Sequence, residues 1–159
     1  MENAKTVSES QVELIQFMMP EHANPVNNVH GGTIMKLIDE AAAIVATRHA
    51  RKNVVTVSVD KIDFIKPVYV GNLVIAKASL NFVARTSMEI GVRVEAETLI
   101  TGKRIHAASA YLTFVALQNR KPIEVPKLIC KTDEEKRRFE EGRIRREKRL
   151  ELLKQKKQD

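Results

Sequence analysis

Between residues 27 and 43 the chain reads NNVHGGTIMKLIDEAAA, which sets two asparagines, a histidine, a Gly-Gly pair and an acidic dipeptide against an apolar helical pattern. A helix starting near Gly32 presents free backbone N–H groups and the positive end of its dipole to the loop before it. Glycines there admit a ligand close to the backbone, where a developing oxyanion or a phosphate is stabilised. The plainer reading makes Gly31 and Gly32 only a tight start to the helix.

The two acids separate when their helical neighbours are compared. Glu40 has Lys36 four residues earlier, an ordinary exposed ion pair. Asp39 has Met35, Ala42, Ala43 and Ala46 at the neighbouring helical positions and no cation on its own helix. A carboxylate among methyl groups gains basicity and suits a general base or nucleophile; contact with solvent or with a lysine from another segment is the competing reading. Asn28 lies where its amide could donate to a carbonyl oxygen or cap the turn, as Asn27 could. His30 could act as an acid or base, or be structural. No Ser-His-Asp set, metal-spaced cluster or phosphate-cradling loop is present in the sequence, so no metal is expected.

These residues need a frame. Apolar side chains at Ile34, Leu37, Ile38, Ala41, Ala42 and Val45 follow helical spacing to about Arg51. Before the helix, residues 6–20 suit one strand ending at Pro20, and 21–32 a loop. After it come four segments of period two: VVTVSVDKIDFI, LVIAKASLNFVA, MEIGVRVEAETLI and RIHAASAYLTFVAL. Their short links predict antiparallel neighbours in chain order, a meander, and so an α+β domain with one helix on a sheet. Residues 118–131 carry two prolines and read as an extended linker. Thr132 and Glu135 form a capping box before a charged helix with sparse apolar residues at Phe139, Ile144, Leu150 and Leu153. One domain over 1–131 with a helical extension over 132–159 is the expected organisation.

At 159 residues, with 43% hydrophobic content and no Trp, the core must be built from Val, Ile, Leu and Ala. The single cysteine forbids an intrachain disulfide, no apolar run approaches the roughly 20 residues that span a bilayer, and no apolar signal core opens the chain; a cytoplasmic protein with no membrane partner is expected. The net charge of +7 favours anionic partners. In residues 132–159, 11 basic residues are interleaved with 8 acids and no aromatic platform accompanies them, so a solvated or oligomer-contacting helix is preferred over a nucleic-acid surface.

Taken together, NVHGGTIMKLIDEAAAIVATRHARKNVVTVSVD, SMEI, RIHAASAYLTFVAL and TDEEKRRFEEG resemble the hotdog-fold acyl-CoA thioesterases of the brain acyl-CoA hydrolase type, over nearly the whole chain. The resemblance implies a long helix wrapped by a five- or six-stranded antiparallel sheet, dimers paired edge to edge, and often a trimer of dimers. It implies hydrolysis of acyl-CoA with no cofactor, coenzyme A being part of the substrate. The family's catalytic asparagine and acid match Asn28 and Asp39, and because this single repeat holds both, each site is expected to draw Asn28 from one subunit and Asp39 from the other. Around the carbonyl stand Gly31, Gly32 and His30; Lys66, Arg85, Thr86, Ser87 and Arg104 are candidates for the phosphates of coenzyme A, and Met35 for the acyl groove. A hotdog-fold dehydratase or isomerase is the alternative reaction, and a basic nucleic-acid-binding protein the alternative class.

Overall fold

The computed structural model describes residues 3–158. Its strands are β1 (Ala4–Thr6), β2 (Val12–Phe17), β3 (Asn53–Phe64), β4 (Asn72–Val83), β5 (Ser87–Thr98), β6 (Lys103–Gln118), β7 (Lys121–Pro122) and β8 (Lys127–Ile129); its long helices are α1 (Gly31–Ala50) and α2 (Asp133–Lys156). α1 buries Ile34, Leu37, Ile38, Ala41, Ala42, Val45 and Ala46. Three of those seven are alanines, which let the helix backbone lie close to the strands beneath it. The helix stops at Arg51, whose left-handed φ of 52° returns its N–H to the Thr47 carbonyl at 2.7 Å.

Six strands form an antiparallel sheet in the order β2-β4-β5-β6-β3, with β7 paired to β6. Met88, Ile90, Val92 and Val94 of β5 and Ala108, Ala110, Leu112 and Phe114 of β6 face α1 by strict alternation. This is the long helix wrapped by an antiparallel sheet that the resemblance implies.

The expected meander is corrected at one point: β3 is not beside β4 but three strands away, paired with β6. The edge of β4 is taken instead by β2, with Val12 opposite Ala78 and Phe17 opposite Leu73. Residues 65–71 reach about 23 Å when extended, more than the roughly 14 Å of three strand spacings, so this link can cross the sheet as a tight hairpin could not.

The N-terminal expectation of one strand over 6–20 is also corrected. Glu9 accepts the Thr6 N–H at 2.6 Å, and this local capping turns residues 7–9 into a single 3₁₀ turn that separates β1 from β2. The segment 118–131 is extended, as read, and its last strand pairs in parallel with β1, placing Ala4 opposite Lys127.

That small pair anchors the C-terminal end of α1. Lys5 Nζ donates to the carbonyls of His49, at 2.9 Å, and Arg48, at 3.3 Å, a cation on the negative end of the helix. His49 is fully buried, and its Nε2 lies 2.7 Å from the Pro126 carbonyl, so that nitrogen carries the proton and donates. Burial pushes the His49 pKa below its ordinary value, and the Pro126 bond opposes the shift.

α2 lies across the face of the sheet opposite α1. Phe139 packs on Phe82 with ring centroids 4.8 Å apart, and Arg145 stacks 3.8 Å above the Tyr111 ring. The Arg145 guanidinium also bonds both oxygens of Glu89, which is 5% exposed and takes a further bond from Asn81 Nδ2 at 3.1 Å. Arg149 reaches Asp60 at 3.3 Å and the Thr113 hydroxyl. At Gly142 a Cβ would stand 2.7 Å from Phe82 Cβ, so only glycine allows this approach. The C-terminal helix is therefore docked on its own sheet, while Arg137, Arg138 and Arg143 pair with glutamates along the helix.

Two outcomes are expected from these contacts. Glu89→Ala strands Arg145 against the sheet and should lower stability by about 3–5 kcal/mol in urea titrations. Because the folded-state pKa of His49 is depressed, its contribution is full above the unfolded value of about 6.5 and is lost as pH falls from there through the folded pKa. Stability measured between pH 7 and 5 should thus fall less steeply in His49→Asn than in the native chain.

Candidate active site

The loop before α1 is held by short-range hydrogen bonds rather than by core packing. Asn24 Oδ1 accepts the N–H groups of Val26 and Asn28, both at 3.1 Å, and the Asn24 N–H donates to the Asn28 carbonyl at 2.7 Å. Asn27, between them, sits at a φ of 63°, which asparagine tolerates. Further bonds tie the loop to its surroundings: Val29 N–H to the Val68 carbonyl at 2.7 Å, and His30 N–H to the His22 carbonyl at 2.8 Å.

At the start of α1 the His30 carbonyl accepts from Thr33 and Ile34, and no side chain caps the helix. The N–H groups of Gly31 and Gly32 have no partner among the described residues. Neither glycine has a positive φ; a Cβ on Gly31 would make only ordinary contact with Phe64, at 3.6 Å, and one on Gly32 would meet nothing within 4 Å. The fold therefore does not require glycine at either position, and the reading as a tight helix start lacks a geometric basis.

A cleft of about 300 Å³ opens at the start of α1, lined by Asn24, Asn28, Gly31, Phe64, Lys66 and the buried alanines Ala107 and Ala108 among others. It brings together Asn28, Gly31 and Lys66 of the residues singled out in the sequence. Gly32 and His30 are exposed at the helix start and do not line it, and the His30 side chain has no hydrogen bond among the described residues.

Asp39 is elsewhere. It lies eight residues into α1, about 12 Å along the axis from Gly31, and is only half buried. Its partner is Thr56 of β3, whose hydroxyl donates to Oδ1 at 2.8 Å. Glu40 pairs with Lys36 at 3.9 Å, as the spacing predicts. Met35 is exposed on α1 and does not line the cleft.

The basic candidates are dispersed. Arg85, with Thr86 and Ser87, forms the turn between β4 and β5 and pairs with Glu124 at 3.6 Å. Arg104 bonds Glu97 at 2.8 Å near the other end of β5, a strand of 12 residues that spans roughly 36 Å. A single protomer cannot apply both to one ligand.

One nearby pair of polar side chains carries no chemistry. His106 Nε2 contacts the Ser109 hydroxyl at 2.6 Å, but it also faces the Ala108 carbonyl at 3.1 Å, so it holds its proton and cannot take one from the serine. Among the described residues no group of three His, Cys, Asp or Glu side chains could hold a metal ion.

Three residues of this region were not singled out in the sequence. Asn24 stood beside Pro25 in a segment read only as loop, although Asn before Pro is a turn signal that fixes a side chain. Thr56 and Phe64 stood in a strand pattern, and nothing local says that they face Asp39 and Gly31.

Residues 26–103 match the Thioesterase superfamily. The cytosolic acyl coenzyme A thioester hydrolase of Rattus norvegicus is 45% identical over 143 residues, 88% of this chain, which spans only 38% of that protein's length. An acyl-CoA hydrolase from Staphylococcus aureus, solved in complex with butyryl coenzyme A and coenzyme A, superposes with a TM-score of 0.89 at 36% identity, covering 98% of this chain and 95% of its own. Alanine variants of that enzyme at an aspartate, a threonine and an asparagine have also been solved, the last with coenzyme A bound. An apo-hexameric acyl-CoA thioesterase superposes with a TM-score of 0.91 at 34% identity, covering 95% of this chain and 97% of its own. A helix cradled by a curled antiparallel sheet, a cleft at its unblocked N-terminus and this degree of identity along the whole length make the chain a member of the thioesterase superfamily with the hotdog fold.

Proposed function

We propose that this chain hydrolyses acyl-CoA to a free fatty acid and coenzyme A. The observation that carries the reading is the pair of unpartnered N–H groups at Gly31 and Gly32, opened by glycines that the fold does not need, at a helix start where Gly31 lines a cleft rimmed by amides. Such donors stabilise the oxyanion that forms when a thioester carbonyl is attacked. The Staphylococcus enzyme, bound to butyryl coenzyme A and coenzyme A, supports the substrate class.

In that enzyme the replaced asparagine lies 15 residues before the replaced aspartate, and the replaced threonine 17 after it. The same spacings relate Asn24 and Thr56 to Asp39 here. Asn24, rather than Asn28, is therefore assigned the amide role. Its Oδ1 is occupied by two backbone donors, which turns Nδ2 outward as a donor for the carbonyl oxygen, while Asn28 contributes the backbone N–H that holds it. Thr56 orients the Asp39 carboxylate by donating to Oδ1, leaving the other oxygen to take a proton from water or to attack the carbonyl itself. In either route one water is consumed, the C–S bond breaks, and the departing thiolate leaves as the thiol of coenzyme A.

The separation of Asp39 from the cleft within one chain requires a second subunit. β3 is an edge strand whose Val55, Val57 and Val59 are exposed, a self-pairing surface. Pairing two β3 edges brings each Asp39 and Thr56 to the partner's cleft, and the hexameric relatives support three such dimers in one particle. Lys66, at the cleft, would meet the phosphates of coenzyme A from the same chain, with Arg104 on the strand that supplies Ala107 and Ala108, whereas Arg85, Thr86 and Ser87 at the far end of β5 would reach them only from another subunit. A cytosolic location agrees with the naming of the mammalian relatives.

Free thiol released from acyl-CoA esters of short to long chain tests the assignment. Asn24→Ala and Asp39→Ala should each lower kcat by about 10²- to 10³-fold, whereas Asn28→Ala should keep most of the activity. Wild-type turnover in Asp39→Ala would sink the mechanism. Mixing Asn24→Ala with Asp39→Ala chains should restore about a quarter of native activity, since half the dimers then hold one intact site; sites confined to one chain would stay dead. Gly32→Ala should melt no lower than the native chain, with up to about 1 kcal/mol of helix stabilisation, yet lose turnover.

A further inference from the structure

Under the proposed hydrolysis, on which the role of Phe64 rests, the thioester carbonyl is held at the Gly31 and Gly32 N–H groups, and the two atoms bonded to that carbonyl must lie beside the first turn of α1. Phe64 is already there. Its Cζ and Cε1 stand 3.6 Å and 3.9 Å from the point where a Cβ on Gly31 would be, so the ring edge leans on the start of the helix and bounds the cleft. Phe64 is the last residue of β3, paired in register with the fully buried Ala108, and the residue is still 53% exposed. An aromatic ring left half in water at the wall of an apolar cleft gains most from an apolar occupant.

Of the carbonyl's two substituents, one is the sulfur arm and the other is C2 of the acyl chain. The polar lining of the cleft, Asn24, Asn28 and Lys66, suits the amide-bearing, phosphate-ended arm of coenzyme A. The apolar lining that continues from Phe64, formed by Ile34, Val68, Ala107 and Ala108, suits the hydrocarbon. All four are buried and cannot yield, and at Ala107 and Ala108 the bulk of the floor is backbone. The Phe64 ring and that floor line the same cleft, so a methyl branch at C2 would have to displace the ring from Gly31.

We propose that Phe64 is a specificity-determining residue: its ring limits the bulk accepted at C2 and C3 of the acyl group and selects straight-chain over 2-branched acyl thioesters. Because the ring meets only the first carbons, it acts on branching and not on overall chain length.

The test compares kcat/KM for butyryl-CoA, 2-methylpropanoyl-CoA and palmitoyl-CoA in the native protein, Phe64→Leu and Phe64→Ala, with oligomeric mass and melting temperature measured alongside. The ratio of branched to straight C4 substrate should rise by about 10-fold or more in Phe64→Ala, the low end of what one methyl group is worth in a pocket. Phe64→Leu should fall between, and the palmitoyl to butyryl ratio should move by less than about 3-fold. If Phe64→Ala fails to assemble, the smaller shift in Phe64→Leu decides. A branched to straight ratio that stays constant in active variants, or an equal loss on all three substrates, overturns the specificity role and leaves the thioesterase reading intact. A native protein that releases no thiol from any of the three esters overturns both.

Discussion

Everything in this molecule is referred to the burial of one face of α1 in the curl of the sheet. Ile34, Leu37, Ile38 and Val45 each contribute about 1.5–3 kcal/mol by leaving water. The alanines among them set how near the helix lies to β4, β5 and β6. The axial position of α1 is fixed at its far end, where Lys5 and the left-handed Arg51 satisfy the last carbonyls. Its first turn is consequently delivered to the rim of the sheet with its N–H groups unspent. A helix free to slide by one residue would move those donors by about 1.5 Å, which is more than an oxyanion site tolerates.

The opposite face of the sheet is closed by means of another kind. Covering it with α2 requires a buried carboxylate, an arginine stacked on a tyrosine, and a glycine at the point of closest approach. Buried ion pairs are weak contributors to net stability but costly to break, and they fix one docking register. Strand alternation assigns the two jobs to neighbouring residues: Glu89 holds α2 while Met88 and Ile90 pack under α1. Both faces of the sheet are thereby covered by the chain's own helices, and the β3 edge is left unpaired.

At the cleft, several local choices run against stability. Two glycines open a helix that could begin with better helix formers, no side chain caps it, and Phe64 leaves half its surface in water. A chain departs from its own folding rules mainly where a ligand supplies what is missing. In the proposed reaction the dipole and the free N–H groups of α1 act on a substrate oxygen, and Asn24, its Oδ1 held by two backbone bonds, would add a third donor.

The period of the apolar residues was enough to determine α1 and the four long strands, because helix and strand repeats are local; which strand face is buried was not, since Val55, Val57 and Val59 of β3 stay exposed and a bulge turns Phe82 toward α2. The unpaired character of Asp39 and the exposed start of the helix could be read for the same reason: both depend on neighbours within four residues. What tertiary structure decided depends on pairing between distant segments. Strand order was one such matter, since a seven-residue link permits both a hairpin to β4 and a crossing to β6, and only the competition of β2 for the edge of β4 settles it. The docking of α2 was another, because its few apolar residues hide an ion pair formed with a strand more than 50 residues away. The company of Asp39 was the third: Thr56 of β3 donates to it, and the start of α1, where Gly31 lines the cleft that Asn24 rims, lies about two helical turns away.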